Sequence, residues 1–117
     1  MNKYTEIRSM ITQLSGQDRI VTILKLFIEM TGDLAESILL NQIVFYSDKS
    51  KRTDGFFYKS NKEWYEEVCL TQRQVRYATT ILAEKELIET KLFRANGAPT
   101  VHYKIRFDNL IRNSSAY

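Results

Sequence analysis

Hydrogen-bonding side chains are concentrated between residues 71 and 80. The set comprises Thr71, Gln72, Arg73, Arg76, Tyr77 and Thr80. An arginine can donate two hydrogen bonds to the major-groove edge of guanine, and a glutamine can pair in a similar way with adenine. Threonine and tyrosine can bond to phosphate oxygens. These residue types therefore predict contact with base edges and phosphates of a DNA duplex.

A helix over residues 72–86 would place this set on its outer face. Its buried side is predicted from residues at helical spacing, namely Val75, Ala78, Thr79 and Leu82. Thr71 and Gln74 form a capping pair at its start, where free backbone amides also favour phosphate. Because Glu84 would repel phosphate, we expect the DNA-facing part to end near Thr80.

A second short helix is predicted immediately before this one. Ser60 and Glu63 have the spacing of a capping box, which opens a helix over residues 61–68. Trp64 and Val68 are its expected inward anchors. The two helices, joined by a tight turn, form a predicted helix-turn-helix, whose second helix enters the major groove.

Two β-patterned segments follow the helix pair. Residues 87–94 and 101–107 alternate apolar with polar residues, and Asn96-Gly97 between them is a strong hairpin-turn signal. The prediction is a winged helix-turn-helix, mainly α with a small β-hairpin and with extra N-terminal helices.

Basic residues extend the predicted DNA contact beyond the second helix. On the hairpin these are Lys91, Arg94, Lys104 and Arg106, with Asn96 at its tip, and before the helix pair they are Lys51, Arg52 and Lys59. Each phosphate neutralised would steepen the log–log salt dependence of binding by about 0.9. The hairpin cations have an alternative use, which is to protect an exposed strand edge. Both interpretations stay open for the hairpin.

The N-terminal half is predicted to be mainly helical and to pack against the helix-turn-helix. Residues 3–14 are predicted to form a short helix or arm, and residues 20–30 a helix, or alternatively a buried strand, ended by Gly32. Asp33 is expected to cap a central helix with a broad apolar face made of Leu34, Ile38, Leu39, Ile43 and Phe45. Phe56 to Tyr58 is a candidate strand.

The chain length and composition fit one domain. Of 117 residues, 44% are apolar, which suffices for an ordinary core. We expect an arm at 1–17, a DNA-binding domain at 18–110 and a flexible tail at 111–117. Neither a bilayer-spanning segment nor a signal peptide is evident, which predicts a soluble, cytoplasmic protein that does not engage membranes.

The charge is unevenly distributed along the chain. Residues 1–48 carry four basic and six acidic side chains, a net charge of −2, whereas residues 49–117 carry thirteen and eight, a net charge of +5. This asymmetry favours an anionic partner for the second half, although a solvated lysine-rich surface would give the same count.

Residues typical of catalysis or metal binding are sparse. The sole histidine, His102, is expected on a strand surface, and the sole cysteine, Cys69, as a small core residue. Neither has companions at metal-ligand spacing. The sequence therefore predicts a protein that is not an enzyme and needs no cofactor or metal.

Three stretches resemble a known family. They are GDLAESILLNQIVFYSDKS, DGFFYKSNKEWYEEVCLTQRQVRYATTILAEKELIET and RANGAPTVHYKI, within roughly residues 18–108. They are similar to the N-terminal winged-helix domain of phage replication proteins from Gram-positive bacteria, the replisome organisers and DnaD-like initiators. The resemblance implies origin binding, self-association and contact with other replication proteins through a C-terminal domain, which we expect to be missing from this chain.

Two further functions remain open from the sequence. A winged helix could equally serve a transcriptional regulator, since fold alone does not fix function. The chain could also be an oligomerisation module with weak DNA contact, using its N-terminal arm and the apolar residues 20–30 as a dimer interface.

Overall fold

The computed structural model describes residues 2–117 and shows a mixed α/β architecture. In these residues six helices accompany one three-stranded antiparallel sheet. The elements are α1 Lys3–Ser15, α2 Lys25–Thr31, α3 Leu34–Lys49, β1 Phe57–Tyr58, α4 Asn61–Val68, α5 Gln72–Glu84, β2 Ile88–Ala95, β3 Ala98–Ile105 and α6 Phe107–Ser114.

The sheet has the order β1-β3-β2, so the last strand lies in the middle. β2 and β3 form a hairpin in which Ala95 faces Ala98 across the predicted Asn96-Gly97 turn. Both turn residues have positive φ, 53° and 80°, as a tight two-residue connection requires. The hairpin and its turn are thus confirmed, as is the short aromatic strand β1, which pairs with β3.

The core forms where α3, α4, α5 and the sheet meet. Trp64 of α4 and Leu82 of α5 are fully buried, as are Leu39, Leu40 and Ile43 of α3. The ring of Trp64 packs edge-on against Tyr103 of β3, with 5.8 Å between ring centroids. This contact joins the helix pair to the central strand.

Local capping fixes where the central helices begin. The side chains of Asp33, Ser60 and Thr71 each accept a hydrogen bond from a backbone N–H three residues later. At Ser60 and Thr71 the reciprocal bond is also present, from Glu63 and Gln74, so both capping boxes are complete. The predicted starts of α3, α4 and α5 are confirmed to the residue.

Residues 17–24 form neither helix nor strand, which corrects the helix predicted from Ile20; only Lys25–Thr31 is helical. The β-branched residues in this stretch disfavour a helix. In addition, Asn41 of α3 donates to the Thr22 carbonyl at 2.9 Å and accepts from the Leu24 N–H at 3.2 Å. The Asn41 amide thereby satisfies backbone groups that a helix would otherwise pair internally.

The buried face of α3 also differs from the prediction. Leu34 and Phe45 are about half exposed, whereas Leu40, absent from the predicted set, is fully buried. The helix is packed on more than one side, by α2, α5 and β3, so a single apolar stripe does not describe it.

The C-terminal region is helical up to Ser114, although a flexible tail was predicted at residues 111–117. Helix α6 spans Phe107–Ser114 and buries Leu110. The Asn109 side chain donates to the Glu86 carbonyl at 3.0 Å, and Ser114 contacts the sulfur of Met30 on α2. These contacts hold α6 against α2 and against the turn that follows α5. The few apolar residues of α6 did not predict a helix from the sequence.

Helix α1 stands apart from this core. It has an Asn2 N-cap and ends at Gly16 in the left-handed conformation, so the predicted helix and its stop are confirmed. None of its residues is buried. Its apolar side chains are therefore open to solvent.

Among residues 2–117, no helix combines the length and apolar character needed to cross a bilayer.

Candidate nucleic-acid interface

The outer face of α5 is a polar ridge open to solvent. The predicted residues Gln72, Arg73, Arg76, Tyr77 and Thr80 are all exposed, as is the capping residue Thr71. The opposite face seals Val75, Ala78 and Leu82 in the core. The helical register inferred from the sequence is therefore confirmed, with Thr79 half-buried at its edge.

The two arginines of this ridge are free to meet a ligand. Within residues 2–117 the side chains of Arg73 and Arg76 make neither a hydrogen bond nor an ion pair. The first turn of α5 contains no acidic residue. Thr80 donates its hydroxyl proton to the Arg76 carbonyl at 3.0 Å, which leaves the Thr80 oxygen able to accept. The positive charge at the start of α5 is thus not neutralised internally.

A cleft of about 290 Å³ separates α5 from the hairpin. Gln72, Arg76 and Thr80 line one wall, whereas Thr90 and Val101 line the other. Asn61, the first residue of α4, completes the rim. Asn61, Thr90 and Val101 were not predicted as site residues. Only the position of Asn61 directly after the Ser60 cap could have drawn attention to it.

The strand register divides the hairpin cations between two faces. Directly paired residues of an antiparallel sheet share a face. Thr90 pairs with Tyr103, and Arg94 with Pro99, so Arg94 lies on the face that meets α5. Lys91 pairs with His102, and Lys104 with Glu89, which places both lysines on the other face. The predicted basic residues are therefore not one continuous surface.

Three other predicted contacts lie at the margins. Asn96 is exposed at the tip of the hairpin, and Lys51 is exposed in the loop between α3 and β1. Arg106 was expected on β3, on the same face as Lys104. It instead follows the last strand residue and occupies the N-cap position of α6.

Lys59, predicted to contact phosphate, is occupied internally. Its ammonium group pairs with Glu67 and lies 3.8 Å from the ring centroid of Tyr46, and its side chain is only 10% exposed. Burial acts to lower the pKa of Lys59, but hydrogen bonds to Glu67 and Tyr46 outweigh it and raise the pKa above its ordinary value. Lys59 is therefore not part of the candidate interface. Together with Glu67 of α4 and Tyr46 of α3 it forms a contact that joins these two helices.

His102 is buried, which corrects the expectation of a surface histidine. Its Nδ1 lies 2.5 Å from the guanidinium of Arg52, which also binds Asp54 at 2.7 Å. Because arginine can only donate, this Nδ1 must be unprotonated. Burial, followed by the charge of Arg52, lowers the pKa of His102, against a smaller opposing effect of Asp54.

This lowered pKa predicts a loss of stability in mild acid. The unfolded chain binds a proton at His102 near pH ~6.5, whereas the folded protein resists it until lower pH, so the free energy of unfolding falls as pH decreases below ~6.5. Urea unfolding of the wild type and of His102→Gln, at about pH 7.5 and pH 5.5, measures the effect. Glutamine can still accept from Arg52 but does not titrate. Since the chain has one histidine, equal losses in both proteins would contradict the prediction.

Cys69 is exposed, which corrects its expected place in the core. It ends α4 with φ 60°, and its N–H bonds to the Tyr65 carbonyl. This left-handed residue turns the chain between α4 and α5, and the turn directs its side chain outward.

Comparisons with protein-family models, curated proteins and solved structures return no match to the chain.

Proposed function

We propose that the chain is a winged helix-turn-helix domain that binds double-stranded DNA. The observation that supports this best is the α5 ridge, where two unpaired arginines stand beside a complete N-cap on the solvent side of a tightly anchored helix. In the proposed complex α5 lies in the major groove, with Arg73 and Arg76 reaching base edges and Thr71 at phosphate. Helix α4 braces it.

The hairpin supplies the wing of this proposed domain. Arg94 lies on the same side as α5, and Gln72, Arg76 and Thr80 of α5 line the cleft between this helix and the hairpin. In the proposal Arg94 and Asn96 follow the phosphate backbone next to the groove that α5 occupies. Lys51 adds contacts that do not depend on sequence.

The biological role we propose is origin binding during replication of a phage or mobile element. This rests on the resemblance of residues 18–108 to replisome organisers and DnaD-like initiators. Such a protein acts in the bacterial cytoplasm, and its other replication partners would bind a C-terminal domain. Transcriptional regulation is the alternative that uses the same surface.

One titration distinguishes these roles. Duplex fragments that tile the genomic neighbourhood of the coding sequence are titrated with protein across a salt series. Selective binding to a repeat cluster beside replication genes supports origin recognition, whereas binding confined to its own promoter supports regulation. An absence of duplex binding even at low salt would refute both, because phosphate contacts are strongest there.

Self-association through α1 is a second proposal, favoured by an apolar stripe. Tyr4, Ile7, Ile11 and Leu14 repeat with the 3-4-3 spacing of a coiled-coil seam, and all four are more than half exposed. A second copy of α1 carries the same seam and can bury it by symmetry. Because the 13-residue helix is shorter than two heptads, the dimer is expected to be weak and concentration-dependent.

Charged substitution in this seam should abolish the dimer. For Ile7→Glu with Ile11→Glu we expect a monomer at concentrations where the wild type is dimeric, since the paired carboxylates would repel each other. Light scattering after gel filtration measures the mass over a concentration series. Ser9→Glu with Gln13→Glu, which adds the same charge on the side of α1 opposite the seam, is the control. A wild type that stays monomeric at high concentration would contradict the proposal.

A further inference from the structure

The sheet face turned away from α5 carries a second cluster of basic and aromatic residues. We call it the outer-face cluster, and its members are Arg52, Phe56, Tyr58, Lys91, Phe93, His102 and Lys104. The register places Tyr58 and Lys91 beside His102 on this face. The other face carries Tyr103, which belongs to the core. The two sides of the sheet are thus chemically distinct.

Three cations converge on this cluster, and the carboxylates nearest to them are Asp54, which binds Arg52, and Glu89, which lies opposite Lys104 in the strand register. The ammonium groups of Lys91 and Lys104 lie 5.2 and 5.6 Å from the centroid of the same ring, Phe56. The guanidinium of Arg52 lies 5.5 Å from the Phe93 centroid. In the described part of the chain Lys91 and Lys104 make no ion pair, and only Arg52 has a carboxylate, Asp54. Like charges held together in this way favour an anionic ligand.

The rings of the cluster are partly open. Phe56 is buried, but Tyr58 and Phe93 are 42% and 38% exposed. Both rings pack against the buried ring of His102, with centroids 4.9 and 5.0 Å away, and this contact fixes their positions. The Lys104 side chain passes close to Gly55, where a Cβ would lie 3.2 Å from it. Fixed, half-exposed rings beside free ammonium groups suit a ligand that has both flat rings and negative charge.

We infer that the outer-face cluster binds single-stranded nucleic acid. Unpaired bases stack on Tyr58 and Phe93, while Lys91, Lys104 and Arg52 contact the backbone phosphates. A duplex would offer phosphates but not the faces of its bases, which are stacked on one another. The site is separate from the α5 ridge, so the inference goes beyond the proposed duplex binding and does not depend on it.

Removing the rings while keeping the apolar bulk tests the stacking. The probe is a fluorescent oligothymidylate of about twenty nucleotides, measured by fluorescence anisotropy. For Tyr58→Leu with Phe93→Leu we expect the affinity to fall about tenfold or more. Circular dichroism melting shows whether the variant is folded.

Removing the two unpaired ammonium groups tests the phosphate contacts while the two stacking rings, Tyr58 and Phe93, stay in place. For Lys91→Ala with Lys104→Ala, the log–log salt slope should become shallower by about 1.4, because each single-strand phosphate contact contributes about 0.7. The control is Lys25→Ala with Arg112→Ala on α2 and α6, which removes the same charge from other exposed sites and should leave the slope unchanged.

A third variant separates this site from the α5 ridge. Arg73→Ala with Arg76→Ala should still bind oligothymidylate like the wild type. The inference is overturned if the lysine variant keeps the wild-type slope, if a folded leucine variant keeps the wild-type affinity, or if the arginine variant loses single-strand binding. Failure of duplex binding alone would leave these results unaffected.

Discussion

Arg73→Ala and Arg76→Ala should each weaken binding to the preferred duplex by about 1–3 kcal/mol, and each should reduce discrimination against mismatched duplexes. The physical reason is that a guanidinium can make two parallel hydrogen bonds to one guanine, and no other group on the ridge replaces them. Both side chains are exposed and unpaired, so their removal should leave the fold intact. Anisotropy titrations with the selected duplex and with a scrambled one measure both effects.

Two further variants distinguish base recognition from plain charge. Arg73→Lys keeps the positive charge but lacks the planar fork, so it should lose selectivity while retaining much of the nonspecific affinity. Lys51→Ala should instead weaken all duplexes alike, because a phosphate contact carries no sequence information. If Arg73→Ala and Arg76→Ala weakened selected and scrambled duplexes equally, the arginines would be phosphate contacts, and α5 would not read bases.

Trp64→Ala is expected to destabilise the fold by about 3–5 kcal/mol, the usual cost of deleting a large buried aromatic ring. Trp64 is fully buried, packs against Tyr103 and lies beneath the ammonium group of Lys59, so its loss affects α4, β3 and the loop before α4 together. Such a change is large compared with the stability of about 5–15 kcal/mol typical of proteins.

Urea unfolding followed by circular dichroism is the appropriate measurement, because the variant lacks the only tryptophan of the chain. Tyr65→Ala, one residue along the same helix and exposed, is the matched control and should cost little. A loss below about 1 kcal/mol for Trp64→Ala would mean that the site collapses around the deletion, and that Trp64 does not hold the helix pair to the sheet.

Local signals predicted the elements that carry the candidate site. Ser60 and Thr71 act through hydrogen bonds within three residues, so the starts of α4 and α5 could be inferred from the sequence alone. The same is true of the Asn96-Gly97 turn, where backbone φ is set by the residues themselves. The exposed ridge on α5 followed from the spacing of three buried residues.

Features that depend on distant partners could not be inferred. Residues 17–24 are not helical, and Asn41, seventeen or more positions away, bonds to the backbone of Thr22 and Leu24. His102 is buried because Arg52 and the surrounding rings cover the second face of the sheet. Lys59 likewise looked like a free cation until folding placed Glu67 beside it. In each case a contact between elements outweighed the local pattern.

The central position of β3 has a consequence for how the domain is made. β1 pairs with β3 at Phe57 and Tyr103. This pairing closes a loop of chain that contains both helices of the proposed helix-turn-helix. During synthesis α4 and α5 can form from contacts close in sequence, whereas β1 can pair with β3 only after β3 has left the ribosome. The ridge on α5 therefore reaches its final orientation only after β3 has been synthesised and has paired with β1.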